Sequence, residues 1–439
     1  MASDLELAFK ALSGKATLYK RYFDYYDGNQ PVTYTTNRLA EIFKGIDAVF
    51  TENWCAVVID SVRDRINLTG IEVPDSAKDV WELLWDESQI KLESDEAHEA
   101  ALVAGEAYMI AWPDEAGVAQ SYYNDPRLAH IFYQAENPRK KRFAAKWWLE
   151  GEEETRLTLY YPDRLEYYTA KGKEVPDSAN LFKSMGEKAE NSYGEVPVFH
   201  FRTANRIVRS DLKNVVPIQN GINKLLADMM VAAEYGAFKQ RFVISNSDIL
   251  GKLKNSPGEI WDLPAGDGMG QQTQAGQFDA TPLENYLKAI DSLSMAVSSI
   301  TRTPKHYFFS IGSNLSGEAL IAMESPLNKK AQDRIDRYIP SWKDMTRFML
   351  KVMGKEVKNQ EIRPVYDDPE SVQPFTEAQA IQMMVSAEIP LPSACRRMGW
   401  SEKELEQLKK DVAEKAKAQK MSLAEGLLEA QRRFDQGNV

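Results

Sequence analysis

The spacing of apolar positions changes several times along the chain, and each change marks an element. Residues 5–26 predict a helix carrying Phe9, Tyr19, Tyr22, Phe23 and Tyr26, and Gly28 and Pro31 then break it. In residues 53–65, NWCAVVIDSVRDR, the positions Cys55, Val58, Ile59 and Val62 recur at helical spacing, and two further helices are predicted within 76–104. From GEAYMIAWPD to VPVFHFR the period shortens. Runs rich in Tyr, Trp, Val and Ile, such as RFAAKWWLE, TRLTLYYPD and RLEYYTA, alternate with turn residues, which predicts antiparallel sheet. Residues 1–205 thus read as one α+β unit.

Beyond Ser210 the pattern turns helical. Val215, Ile218, Ile222, Leu225, Met229 and Ala233 form one stripe, with Ser210 or Asp211 as the expected cap and Pro217 tolerable near the first turns. Residues 239–280 lose that period: QRFVIS and GEIWDLP predict strands, and AGDGMGQQTQAGQ a flexible loop. Thr281 with Glu284 has the form of a capping box, Pro282 suits the first helical position, and Leu283, Leu287, Ile290, Leu293, Val297 and Ile300 follow as a stripe. After TPKHYFFSIGSN a helix is predicted from about Ser316 to Met353. Leu327, Ala331, Ile335, Trp342, Met345, Met349 and Val352 face inward, and Pro326 and Pro340 are expected to kink it. A short strand in EIRPVYDDP comes next. Two or three short helices follow, with Thr376 and Ser401 as caps, and then a charged tail from about Asp411. The fold class is α+β, mainly helical. Two long helices joined by a small β unit form a stalk with a tip, and their stripes need neighbours, which other copies of the chain would supply.

Composition narrows the classes of function. At 439 residues the chain exceeds a single core, and its net charge of −11 argues against a tight nucleic-acid binder, which needs clustered Lys and Arg. Cys55 and Cys395 are too few and too distant for a disulfide framework, which fits a reducing compartment; no secretion signal or membrane span is expected. Catalytic signatures are missing. GDGMG at 266–270 is not followed by an amphipathic helix and no GxxxxGK[ST] exists, so it reads as a mobile loop. His98 in HEAAL lacks the second His of a zinc helix and reads as a solvated helix face; no His/Cys cluster is present, so neither cofactor nor metal is expected. The basic run Arg139, Lys140, Lys141 and Arg142 reads as the solvated start of a strand, with contact to a partner as the alternative. Glu150, Glu152, Glu153 and Glu154 read as its partner or as a plain hairpin turn.

Several stretches together resemble the gp6-like portal proteins of tailed bacteriophages: YYDGNQPV, NWCAVVIDSVRDRINLTGI, GEAYMIAWPD, GEVPVFHFR leading into RSDLKNVVPIQNGINKLLADMM, and GSNLSGEALIAMESPLNKKAQDRI. Their order and spacing span nearly the whole chain. The resemblance implies a wing in 1–205, stem helices in 206–238 and 281–303, a clip in 239–280 and a tunnel loop in 304–315. It implies further a kinked helix with a strand returning to the wing in 316–372, and a crown with tail in 373–439. It implies a ring, usually of twelve copies, at one vertex of the virion capsid, assembled in the host cytoplasm, through which double-stranded DNA is packaged and ejected. Expected partners are the terminase large subunit, a head-tail adaptor, and the major capsid and scaffolding proteins, without a membrane. No catalytic role is implied.

Under this resemblance Lys305, His306, Tyr307, Ser310, Ser313 and Asn314 face DNA from the tunnel loop, and Asp262, Asp267, Met269, Gln271 and Gln272 meet partners at the clip. Phe308 and Phe309 read as core residues closing the end of the stem. Residues 305–315 are expected to be mobile, with few regular backbone partners, and to line the bore. A mildly acidic or neutral bore fits sliding DNA, because each phosphate contact adds attraction and friction. An enzyme of DNA metabolism and a structural ring that does not conduct DNA are the competing classes.

Overall fold

The computed structural model describes residues 3–31, 52–151, 153–172, 175–204, 207–237, 241–244, 274–308, 317–370, 381–398, 400, 404–415 and 417. They fall into two units, Met1–Pro369 and Glu370–Val439.

The first unit opens with helix α1, Asp4–Tyr26, started by a reciprocal cap in which Glu6 N donates to Ser3 Oγ and Ser3 N donates to the Glu6 carboxylate. Its first half buries Ala8 and Leu12 against a β-sheet, and its second half buries Tyr19, Tyr22 and Tyr25 in the main core. Helix α2 is Trp54–Arg63, α3 Lys78–Glu87 and α4 Ile90–Ala104. Strand β1, Leu68–Glu72, lies between α2 and α3 and pairs antiparallel with the last strand of the unit, β12 at Arg363–Tyr366. Strands β2 (Glu106–Pro113), β3 (Ala119–Asn124) and β9 (Val198–Arg202) form a sheet of order β3-β2-β9. The sequential strands β4 (Ala129–Tyr133), β5 (Lys141–Glu150), β6 (Glu154–Tyr160), β7 (Arg164–Lys171) and β8 (Lys183–Glu190) form an antiparallel meander. The acidic run lies at the β5–β6 turn, where Glu150 pairs with Arg156. Gly105 ends α4 at φ +95, and a Cβ there would meet the Arg209 carbonyl carbon at 2.6 Å, so the chain crosses itself only where a side chain is missing.

Helices α5 (Val216–Ala237) and α6 (Glu284–Thr301) pack against each other. Gly221 lies by Leu293 and Gly236 by Ala280, so the two run antiparallel. Between them, β10 (Arg241–Ile244) pairs with β11 (Gln274–Gln277). Helix α7, Gly317–Val352, is 36 residues long, about 54 Å at 1.5 Å per residue. Leu327, Ala331, Ile335, Trp342, Met345 and Met349 are buried along it, and that packing offsets the backbone hydrogen bonds lost at Pro326 and Pro340.

Four expectations are corrected. The first long helix begins at Val216 after turns over 211–215; Ser210 Oγ accepts from Leu212 N at 2.9 Å at their start, while Asp211 is engaged by Lys330 and Arg334 rather than by a helix start. Thr281 makes no capping box; α6 starts at Glu284 without a side-chain cap. The end of the glycine-rich segment is strand β11, with Phe242 lying over Gly276, where a Cβ would come within 2.4 Å of the ring. His98 is fully buried, stacked on Tyr338 at 5.0 Å and accepting a hydrogen bond from Trp342 Nε1 at 3.1 Å; it is a core residue, not a solvated one. The GEIWDLP segment lies outside the described residues.

In the second unit, residues 381–386, Leu391–Arg397 and 404–415 are helical, and Ala394, Cys395 and Leu405 are buried. Cys55 and Cys395 are both free thiols. Thr376, Ser401 and the chain beyond 417 lie outside the described residues. Among the described residues, no helix is long and apolar enough to cross a membrane, and no His, Cys, Asp and Glu group suits a metal ion.

Candidate functional site

Helix α6 stops because Thr-Pro follows it. Pro304 disfavours helix at Thr303, and Arg302 takes a left-handed conformation at φ 62. The last turn is closed by hydroxyls: Thr301 Oγ1 donates to Val297 O at 2.7 Å, and Ser298 Oγ donates to Thr303 O at 2.7 Å. Lys330 from α7 donates to Thr301 O at 3.3 Å, a cation placed at the negative end of the helix dipole. The same Lys330 pairs at 3.1 Å with Asp211, which also binds Arg334 at 2.8 Å. Burial would raise the Asp211 carboxyl, but the Lys330 and Arg334 cations outweigh it and hold the group below its ordinary range.

Lys305–Tyr307 form one 3-10 turn, and Phe308 is buried edge-on against Trp54, with ring centroids 5.1 Å apart. Glu324 of α7 accepts from Arg65 at 2.5 Å and pairs with His306 Nε2 at 2.8 Å. Arg65 also donates to the Tyr307 hydroxyl at 2.8 Å, to Asn328 at 3.0 Å and to Ser61 O at 2.8 Å. Loop base, α2 and α7 are therefore stitched together by one guanidinium. Directly after Pro304 the backbone does have regular partners: 305–307 form a 3-10 turn, and His306, Tyr307 and Phe308 are held by Glu324, Arg65 and Trp54.

Of the loop residues singled out from the sequence, His306 and Tyr307 are tied to their own chain, and Lys305 is exposed. Ser310, Ser313, Asn314 and Phe309 lie outside the described residues, as do Asp262, Asp267, Met269, Gln271 and Gln272. Sequence reasoning missed Arg302, exposed beside Lys305; the cations flanking Thr-Pro in TRTPK were the available signal. It also missed Arg65 and Glu324, which carry no local motif.

A second polar constellation is wholly internal. Glu106 on β2 is bound by Lys15 at 3.0 Å, His200 at 2.9 Å and the Tyr19 hydroxyl at 2.9 Å, and Lys15 also reaches His130 at 3.3 Å. Burial alone would raise the Glu106 carboxyl; Lys15 and His200 overcome it and keep the group ionised. Burial holds His200 below its ordinary range and brings His130 down to about 4. With the His200 and Glu106 side chains only 7% and 3% exposed, the cluster offers a substrate no access and serves to join α1 to the sheets.

One family model, described as phage portal protein, SPP1 Gp6-like, matches residues 12–420 of the 439. No curated protein matches the chain.

Proposed function

We propose, for a chain that belongs to the SPP1 Gp6-like family of phage portal proteins, that copies of it close into a ring around a channel for double-stranded DNA. The family is structural and non-enzymatic, and so is this protein. In this reading residues 1–205, with part of α7 and β12, are the wing. Helices α5 and α6 are the stem, 239–280 the clip, 304–315 the tunnel loop and 373–439 the crown.

The observation that carries the ring is the exposed apolar surface of α6. Leu287, Met295 and Ile300 are each 50% or more exposed in the single chain, although they belong to a helix that buries Ile290 and Val297. At about 100° per residue these three fall on both sides of the buried Ile290 and Val297, and neighbouring copies related by rotation, one on each side, would cover apolar surface of that extent. The ring, usually of twelve, sits at one capsid vertex after assembly in the host cytoplasm, and it contacts capsid and scaffolding proteins through the wing. The terminase large subunit and later the head-tail adaptor dock at the clip through Asp262, Asp267, Met269, Gln271 and Gln272.

In the channel, Lys305, with Ser310, Ser313 and Asn314, touches DNA, while His306 and Tyr307 hold the loop in place. The charge of −11 keeps phosphate attraction weak enough for the duplex to slide. Lys305→Glu tests the reading. Ring assembly is expected to persist while the packaged DNA yield falls several-fold. Normal packaging by that variant would remove the channel role from Lys305, and an image of the purified protein without a central hole would remove the ring.

A further inference from the structure

The basic run at 139–142 is not used by the channel, and the fold gives it a shape. A cleft of about 450 Å³ opens between the start of β5, the segment before β9, and α7. Arg139, Lys140, Lys141 and Arg347 line its basic side, and Val196 and Phe199 its apolar side. Arg142 is already paired with Asp4, and Arg347 with Glu195. Arg139 and Lys140 are exposed, and neither they nor Lys141 has a carboxylate partner among the described residues.

Lys141 is the unusual member. Its ammonium sits 4.1 Å from the centroid of the Phe199 ring and reaches only one hydrogen-bond acceptor, Val196 O, at 3.5 Å. Burial pushes it down to about 8, because the facing Asp344 and Glu195 carboxylates do not compensate and Arg347 opposes them. Both carboxylates are committed elsewhere: Asp344 accepts from Asn359 at 2.6 Å, and Arg347 with Lys351 holds Glu195 down at about 2. The acidic hairpin at Glu150–Glu154 cannot reach the cleft, since it lies at the far end of β5, about 30 Å away at 3.3 Å per residue.

We propose that this cleft binds an acidic peptide segment of a partner protein, seating a carboxylate on Lys141 and an apolar side chain against Phe199 and Val196. Charge and shape together select the class. Arg139 and Lys140, without an ion pair among the described residues, and Lys141, held there only by Val196 O and the Phe199 ring, face a lining whose two carboxylates, Glu195 and Asp344, are committed elsewhere. This surplus of positive charge calls for an anion, and the apolar wall suits a side chain beside it. Duplex DNA is a convex cylinder too wide for a cleft of about 450 Å³, so its phosphates reach only the rim formed by Arg139 and Lys140. The inference is independent of the ring, because every wall of the cleft comes from one chain.

A fluorescein-labelled octapeptide of alternating glutamate and leucine, titrated into the full-length protein and followed by anisotropy, tests it. Lys141→Met keeps an apolar stem on Phe199 and removes the charge; affinity is expected to fall about tenfold or more. Near pH 8.5 wild-type binding is expected to take up protons, because the anion restores the Lys141 charge, and the Met variant is expected to lose that uptake. Arg139→Ala/Lys140→Ala, exposed and harmless to folding, is expected to weaken binding a few-fold and keeps the test open if Lys141→Met unfolds. Failure of the peptide to bind overturns the proposal. So does equal affinity in all variants, or tighter binding of a DNA duplex with the same dependence on Lys141. Binding seen only when copies are dissociated would make the cleft a contact between copies and overturn it equally.

Discussion

The helix α7 and the helix pair α5–α6 are written in the same periodic code, yet one is finished within its own chain and the other is not. Along α7, Tyr338, Trp342, Met345, Phe348 and Met349 are fully buried, and Trp342 is fixed by His98 and Phe201. Along α6, Val297 is fully buried while Leu287, Met295 and Ile300 stand half in water. A stripe therefore states that a face wants cover, and only the tertiary structure says whether the cover comes from the same molecule. Loss of a residue of the first kind should cost folding; loss of one of the second kind should cost assembly.

Trp342→Ala gives the largest expected effect. It should destabilise the chain by about 3–5 kcal/mol, read as a lower urea midpoint, because it removes a fully buried ring and leaves the Nε1 partner on His98 unmet. A loss below about 1 kcal/mol would erase the contrast. Next is Glu324→Ala, which leaves Arg65 and His306 without their carboxylate at partly buried positions. It should cost about 1–3 kcal/mol and speed proteolysis after Lys305. Unchanged cleavage would mean the loop base is held by Phe308 alone.

Acid should loosen the finished region first. Burial lowers His98 to about 3 and His130 to about 4, and it lowers His200 as well. Each imidazole is neutral in the fold and binds a proton on unfolding once the pH drops below about 6.5. Stability is thus present above that value and lost as pH falls toward 4, by about 1.4 kcal/mol per pH unit each for His98 and His130, with His200 acting in the same direction. Stability that is flat from pH 7 to 4.5 would contradict the burial of these rings. Arg302→Gly should add about 1 kcal/mol in a thermal melt, by relieving the left-handed backbone at φ 62. Leu287→Ser should change the stability of the single chain by less than about 0.5 kcal/mol while shifting copies toward dissociation.

Local periodicity made much of the fold legible. The helix at Asp4–Tyr26, the strands from Glu106 to Arg202 and the inward face of α7 follow directly from their spacing. Misreadings arose where a distant residue decided. His98 looks polar on its own helix, but Phe201, Tyr338, Trp342 and Tyr366 surround it from far along the chain. Asp211 looks like a cap until Lys330 and Arg334 claim it. Gln274–Gln277 carries no apolar alternation, since backbone pairing and the Phe242 ring over Gly276 define that strand. At the candidate site, the exposed Lys305 was readable from its Thr-Pro context. The Arg65–Glu324 anchor was not, because Arg65 lies 242 residues from Tyr307.

The most direct test of a face completed by other copies is the native mass of the purified full-length protein at micromolar concentration. A closed oligomer is expected, with a mass that is a large whole multiple of 49.8 kDa, and Leu287→Ser should shift it toward smaller species. A stable, folded 49.8 kDa monomer that leaves the α6 face in water would contradict it.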